Sequence, residues 1–165
     1  MRTSQTGFTL IELIVVILIL GILAATALPR FMSATVDARI AKAQGVYGAV
    51  RAAANLAKAR CELDLGRGLA AAGQCGNATP QVDMDGLLVD IVNKYPSNGF
   101  GGTGIGIVRA AQVDVADFTV VVGANAAAAT LIEVTGATTL ATCSVSYTAA
   151  VAGAAPTVAL VTTGC

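Results

Sequence analysis

Glu12 is the one charged side chain in an apolar run that extends from Phe8 to Leu28. A helix over these 21 residues would rise ~31 Å, which is about the thickness of the hydrocarbon core of a bilayer. A carboxylate inside such a helix costs about 2.5–3.5 kcal/mol on insertion scales. Arg2 lies ten residues upstream, and no basic side chain is closer along the helix. The sequence therefore predicts that the positive charge for Glu12 comes from outside its own helix.

Two common kinds of segment fit the apolar run. One is a plain membrane anchor. The other is a secretory signal peptide, because Ala25-Thr26-Ala27 forms an A-x-A cleavage site, and the chain would then be a secreted, disulfide-linked binding domain released after Ala27. Arg2 on the short polar side favours a cytoplasmic N-terminus with the rest of the chain exported. Neither kind of segment explains the carboxylate.

The junction between the polar start and the apolar run has the sequence GFTLIE at residues 7–12. This sequence resembles the signature of type IV prepilins and of type II secretion pseudopilins. In that family a membrane peptidase cuts after the glycine and methylates the amine of the new N-terminal phenylalanine. The resemblance implies that Gly7 is the cleavage residue and Phe8 the new N-terminus. It also implies that Glu12 is the assembly carboxylate, which faces the N-terminal amine of a neighbouring subunit.

An ion pair between subunits would remove the uncompensated charge of Glu12. Cleavage creates the new amine only four residues before it. Breaking a buried pair by removing one partner typically costs about 3–5 kcal/mol. Glu12 is therefore expected to penalise wrong axial registers more than it strengthens the right one.

Gly21 and Pro29 bracket the part of this helix that is predicted to be weakest. A proline removes one i−4 hydrogen bond and clashes with the carbonyl four residues back, at a cost of about 3 kcal/mol. A kink is the general expectation. The family resemblance implies, in addition, a segment that unwinds when the filament assembles.

All four cysteines follow the apolar run: Cys61, Cys75, Cys143 and Cys165. An even number on the exported side indicates two disulfides. The pairing of 61 with 75 and 143 with 165 is favoured because both loops are short, and because the second resembles the C-terminal disulfide loop of pilins. The two other pairings stay open. A zinc site made of four thiolates is disfavoured, because no C-x-x-C pair is present.

The composition argues against an enzyme or a nucleic-acid-binding protein. The chain has no histidine, the commonest general base and metal ligand, and its formal net charge is zero. Its glycine-rich segments lack the lysine of a P-loop. Residues 83–86, DMDG, faintly resemble a calcium loop, but no glutamate closes it, so turn carboxylates in solvent are favoured. We expect no catalytic residues, metal or cofactor, and no specific nucleic-acid partner.

Charges are sorted along the chain. Residues 30–67 carry seven basic side chains against three acidic ones, and residues 68–165 carry two against six. A basic stem and an acidic head could attract each other between neighbouring copies. The alternative is two solvated faces, since an exposed ion pair is typically worth only about 0–1 kcal/mol.

An amphipathic stem helix is predicted over residues 30–61. Its apolar positions recur at alternating spacings of four and three residues: Val36, Ile40, Ala43, Tyr47, Val50, Ala54, Ala57 and Cys61. This face is expected to pack under the protein's own sheet. The remaining surface is rich in alanine and glycine, including Gly45 and Gly48, and such small residues permit close approach by neighbouring helices.

Residues 62–165 are predicted to form a disulfide-containing head with an antiparallel sheet. Residues 81–96 fit either strands or a helix, and strands are preferred. Further short β-branched runs are expected to be strands: Gly104–Arg109, Phe118–Gly123, Leu131–Thr135, Cys143–Tyr147 and Val158–Thr162. The segment V-x-M-x-G at residues 82–86, followed by VNKYP at residues 92–96, resembles pilins of the mannose-sensitive haemagglutinin type.

Together these features predict an α+β fold, the pilin ladle. It divides into a leader (1–7), a transmembrane or filament-core helix (8–29), the stem (30–61) and the head (62–165). The resemblance implies a structural subunit of a type IV pilus-like filament, found in the inner membrane as a precursor and then in an extracellular pilus. Its partners would be identical subunits, the prepilin peptidase and the inner-membrane assembly machinery. A type II secretion pseudopilin is the alternative within the same class.

Overall fold

The computed structural model describes residues 8–71, 73–76, 78–100 and 106–165, except for the side chains of residues 28–32. The first helix, α1, is Leu10–Gly66. The chain divides into two compact units, Met1–Asp37 and Ala38–Cys165. Within the described residues, α1 is followed by antiparallel strands in two sheets, which confirms the α+β fold class.

A glycine ends α1. Gly68 adopts a left-handed conformation with φ of 67°. Its N–H donates to the carbonyl of Leu65, and the N–H of Leu69 donates to the carbonyl of Asp64. This pair of bonds is the Schellman arrangement, which satisfies carbonyls that the end of a helix leaves free. The helix therefore continues beyond Cys61, where the predicted stem ends, to Gly66.

The predicted apolar face of α1 packs against strands of the same chain. Ala43, Val50, Ala54, Ala57 and Cys61 are buried. Of the other predicted positions, Ile40 and Tyr47 are partly buried, and Val36 is exposed in the first unit. The glycines of the opposite surface, at positions 45 and 48, have no atom within 4 Å of the place where a Cβ would stand. That surface is open.

The first sheet has three antiparallel strands: β1 (Gln81–Met84), β2 (Leu87–Val92) and β3 (Tyr95–Pro96). Met84 pairs with Leu87, so Asp85 and Gly86 alone form the turn. Both have positive φ, 56° and 78°, as a type I′ hairpin turn requires. The strand prediction for residues 81–96 is confirmed, and the helical alternative is wrong because Asp-Gly reverses the chain.

The second sheet is an antiparallel meander of four strands: β4 (Phe118–Val121), β5 (Thr130–Val134), β6 (Ser144–Thr148) and β7 (Thr157–Val161). A 3-10 turn at Leu140–Thr142 precedes β6. These strands confirm four of the predicted runs, with ends that differ by a few residues. The prediction was based on the short length of these runs and their β-branched residues.

The predicted strand Gly104–Arg109 is wrong where it can be compared. Residues 104 and 105 lie outside the described residues, and Ile107–Ala110 form a short helix, α2. Ile107 is buried in the core, and its N–H donates to the carbonyl of Ser97 at 2.8 Å. A helix of a single turn has no periodicity to detect, so its β-branched residues gave the signal of a strand.

The core of the second unit lies between α1 and the strands. Val50 and Ala54 share an apolar cluster with Ile132, Val145 and Tyr147. The Tyr147 hydroxyl donates to the carbonyl of Pro96 at 2.6 Å, so one buried side chain ties the four-stranded sheet to β3. A second cluster joins α1 to β1 and β2. Burial of these faces is the main contribution that holds α1 to the sheets.

Burial of Tyr147 predicts a loss of stability at alkaline pH. Burial raises the pKa of its hydroxyl above the ordinary value of 10.0. Below pH 10 both folded and unfolded states keep the proton, whereas above it the unfolded state alone loses it, so this contribution falls as pH rises. The slope approaches 1.4 kcal/mol per pH unit, roughly. The Tyr147→Phe variant should not show this loss of stability with pH, because phenylalanine has no hydroxyl to ionise.

At pH 8 Tyr147→Phe should be less stable than the wild type by about 1 kcal/mol, because the carbonyl of Pro96 loses its donor. By pH 11 the wild type should have lost about 1.4 kcal/mol that the variant keeps, so the gap should close and slightly reverse. Urea unfolding of the full chain in detergent micelles, followed by circular dichroism at both pH values, measures the gap. A difference in stability that stays constant with pH would contradict the raised pKa of the Tyr147 hydroxyl.

Candidate assembly site

The first turn of α1 is built around Thr9 and Glu12. The N–H of Thr9 donates to Glu12 Oε2 at 2.9 Å, and its hydroxyl donates to the same oxygen at 2.7 Å. In return, Thr9 Oγ1 accepts a bond from the N–H of Glu12 at 3.3 Å. This is a capping box, in which residues three apart satisfy each other's backbone donors at the start of a helix.

The capping box gives Glu12 a local role that the sequence analysis missed. Its signal was present, since Thr9 and Glu12 form the T-x-x-E pattern directly before an apolar run. The carboxylate also lies in the first turn, where the positive end of the helix dipole favours a negative charge. These bonds satisfy Glu12 Oε2, and no described hydrogen bond or ion pair reaches Oε1. Within the part of the chain that the structure describes, no cation compensates the charge of Glu12.

The segment after Glu12 is long and apolar enough to cross a membrane. The window Leu10–Ala27 has 18 residues and a mean hydropathy of 2.8, and none of it is buried within the protein. It is the one such helix within the described residues. The single hydroxyl of the window, that of Thr26, donates to the carbonyl of Leu23 at 2.9 Å. The helix thus satisfies its own polar groups apart from Glu12.

The other predicted site residues of this helix are only partly described. Gly7 and the rest of the leader, residues 1–7, lie outside the described residues. Phe8 is described and is 91% exposed. α1 is helical through Gly21 and Pro29, and the surface at Gly21 is open. The role of Gly21 and Pro29 as weak points in assembly stays a prediction.

Two disulfides close loops in the second unit. Cys61 is bonded to Cys75, and Cys143 to Cys165, which is the pairing that the sequence analysis favoured. Arg39 on α1 donates to the carbonyl of Cys165 at 2.9 Å. The second disulfide therefore joins Cys165 to the residue before β6, and the bond from Arg39 holds Cys165 next to α1.

Metal ligands are not grouped in the described part of the chain, where no three His, Cys, Asp or Glu side chains could hold an ion together. In the DMDG segment, Asp83 Oδ1 accepts a bond from the N–H of Gly86 at 2.7 Å. Asp83 therefore stabilises its own hairpin turn. This is the structural role that the sequence analysis preferred for these carboxylates.

Comparison with known proteins places these features in a family. Residues 2–28 match a family model described as the prokaryotic N-terminal methylation motif. Type II secretion system core protein G of Pseudomonas aeruginosa is 47% identical over 57 residues, which cover 34% of this chain and 40% of that protein. Type IV major pilin protein PilE1 of Neisseria gonorrhoeae is 56% identical over 43 residues, covering 26% of each chain. Both matches thus span less than half of the relative.

A longer match reaches well beyond the N-terminal helix. A fimbrial protein of Moraxella nonliquefaciens is 33% identical over 123 residues, which cover 67% of this chain and 79% of that protein. No solved structure gives a significant match. The fold and the N-terminal motif define a protein of the prepilin class. With a match over most of a fimbrial protein, the chain belongs to the type IV pilin family.

Thr9→Val should weaken the start of α1 without changing its charge. The loss of a helix cap typically costs about 1 kcal/mol, which corresponds to roughly fivefold faster exchange of the Glu12 amide hydrogen. Hydrogen exchange of the full chain in detergent micelles measures this rate. Thr26→Val is the matched control. It also removes a hydroxyl that bonds a carbonyl of the same helix, but it leaves the first turn intact. Equal exchange at Glu12 in both variants would contradict the capping role.

Proposed function

We propose that this protein is a structural subunit of a type IV pilus-like filament, and that it assembles through its N-terminal helix. The observation that carries the proposal is the uncompensated charge of Glu12 at the start of an 18-residue apolar helix of which none is buried within the protein. Such a helix needs an apolar environment along its whole length. A membrane provides this before assembly, and the helices of other subunits provide it in a filament.

Cleavage between Gly7 and Phe8 would supply the missing cation. Oε2 of Glu12 is already bound by the N–H and the hydroxyl of Thr9 in the same chain. The free Oε1 can face the amine of a neighbouring subunit. In an apolar surrounding this pair would be strongly favoured over two unpaired charges. One register of the helices would satisfy it, and the others would not.

The proposal includes partners that the family requires. A prepilin peptidase would cut the leader and methylate Phe8, and inner-membrane assembly machinery would extract the subunit from the bilayer. The protein would reside in the inner membrane as a precursor and afterwards in an extracellular pilus. Identical subunits would be its main contacts there. The apolar window and the methylation motif support this sequence of locations.

A secretion pseudopilin is the second candidate, because core protein G shares the N-terminal region. A pilus subunit is preferred on the length of the matches. The similarity to core protein G covers 34% of this chain, whereas that to the Moraxella fimbrial protein covers 67% and so includes much of the head. The secreted-domain alternative, with cleavage after Ala27, gives Glu12 no role.

Substitutions of Glu12 separate assembly from membrane insertion. Glu12→Gln keeps an oxygen that can complete the capping box but removes the charge. Glu12→Leu removes both and raises the hydropathy of the span, which should improve insertion. If the carboxylate meets a neighbour's amine, both variants should be inserted and oxidised normally and yet be depleted at least tenfold, roughly, from filaments. The ratio of subunit in sheared filaments to subunit in the membrane measures this.

Intact-mass analysis of the same membrane pool is the control for processing. The mature chain should begin at Phe8 and carry one extra methyl group in the wild type and in both variants. Thr9→Val should enter filaments at close to the wild-type level, since it keeps the charge. Glu12→Leu at wild-type yield in filaments would show that the pairing role is wrong. A mature chain that begins at Leu28 would support the secreted domain instead.

A further inference from the structure

Glu133 is a mostly buried carboxylate residue of the head. It is the fourth of the five residues of β5 and is only 7% exposed. Its cross-strand neighbours are Thr119 and Ser144. No described hydrogen bond or ion pair reaches its carboxylate. Among the described residues no fully buried side-chain oxygen lacks a partner, so the carboxylate of Glu133 must touch the surface at its tip.

The strand register shows which face of the sheet carries Glu133. Successive side chains of a strand point to opposite faces. Ile132 lies in the apolar cluster with Val50 of α1, so Glu133 is on the face turned away from that core. Val121, on the adjacent strand β4, lies on the same face diagonally across from Glu133 and is exposed, as is Val161 on the same face of β7, two strands away. We call the mostly buried carboxylate of Glu133 and the exposed Val121 the anionic patch.

A carboxylate in this position favours a cation that arrives together with apolar groups. Removing most of the water around an ion is costly unless an opposite charge replaces it. Exposed apolar side chains around the charge would exclude water once a partner is in place, which is how the strongest contacts of protein interfaces are built. Arginine suits such a site, because its planar guanidinium binds carboxylates in two places and is weakly hydrated.

The end of α1 presents the complementary group. Arg67 is exposed and has no described hydrogen bond or ion pair from its side chain. The other basic side chains that the structure describes each have a contact: Arg39, Lys42, Arg51, Lys58, Arg60, Lys94 and Arg109. Leu63, one helical turn before Arg67, is exposed. We call Leu63 and Arg67 the cationic patch.

We propose that the cationic patch of one copy docks on the anionic patch of another, with Arg67 binding Glu133. The two patches match in kind, since each is one charge without a described partner near one exposed apolar side chain, and the two charges are opposite. The charge balance agrees, with seven basic side chains against three acidic ones in residues 30–67 and two against six in residues 68–165. A contact between two different patches of the same chain is heterologous and generates an open polymer or a ring.

This inference rests on the proposed function, because a filament brings many copies together at high local concentration. It adds a head contact to the pairing of the N-terminal helices. The Arg67–Glu133 contact would fix the rotation of each head relative to its neighbour. It would leave membrane insertion, cleavage and disulfide formation unchanged, because both groups lie outside the apolar span and neither belongs to a disulfide.

A charge exchange tests the proposal in cells that make filaments from the wild-type chain. Glu133→Arg and Arg67→Glu should each lower the amount of subunit in sheared filaments by about tenfold or more. The double variant, with both changes in one chain, should recover to within about threefold of the wild type, because the pair is restored with opposite polarity. Glu133→Gln removes the charge but keeps the shape of the side chain. It should therefore also be depleted from filaments, which separates loss of the ion pair from any disturbance of the sheet by the larger arginine.

Asp85→Asn is the matched control. It also removes one exposed acidic charge from the head, at a turn position with positive φ that asparagine tolerates. It should assemble like the wild type. A double variant as poor as the single ones, or single variants as good as Asp85→Asn, would overturn the contact while the wild-type filaments still support the proposed function. If the wild-type chain itself forms no filaments, the proposed function fails first.

A cross-link distinguishes a contact between copies from one within a copy. Arg67→Lys keeps the charge and adds a primary amine, which a carbodiimide can couple to the carboxylate of Glu133 as an amide with loss of water. Filaments assembled from a mixture of unlabelled and nitrogen-15-labelled subunits should then give a linked peptide with one labelled half. A linked peptide in which both halves always carry the same label would overturn the proposal.

Discussion

The charge of Glu12 is the constraint on which the rest of the account depends. The structure satisfies one oxygen of this carboxylate by a capping box with Thr9, which helps to start α1. It does not neutralise the charge, and the helix around it is apolar and unburied. A carboxylate that is hydrogen-bonded but not neutralised can be inserted in a membrane at a tolerable cost, but it is stable there only when it pairs with a cation. In the proposed function the neighbour's amine meets this need.

The head has a different physical basis. The second unit closes its core by packing the apolar face of α1 against two small antiparallel sheets, and two disulfides hold the loops that leave this core. The open surface of α1 at Gly45 and Gly48 and the two charged patches are left over once the core has formed. The proposed interfaces thus use surfaces that the fold of a single copy does not need.

Most of the architecture follows from patterns that the sequence displays over long stretches. The apolar span, the stem periodicity and four of the later strands were predicted because each repeats one signal several times. The short helix at Ile107–Ala110 was missed, since its burial depends on a contact with Ser97 that is remote in sequence. The capping box was missed although T-x-x-E is a local signal, because Glu12 was interpreted only as an uncompensated charge. The isolation of Glu133 and Arg67 could not be predicted, because it depends on which other side chains happen to reach them.

Electron cryomicroscopy of wild-type filaments tests the central claim most directly. At a resolution that shows side chains, the chain in the filament should begin at Phe8. The nitrogen of its amine should lie within about 4 Å of a Glu12 carboxylate oxygen that belongs to a different subunit, as an ion pair requires. A filament in which Glu12 faces only lipid, solvent or its own chain, or in which the chain begins at Leu28, would contradict the account.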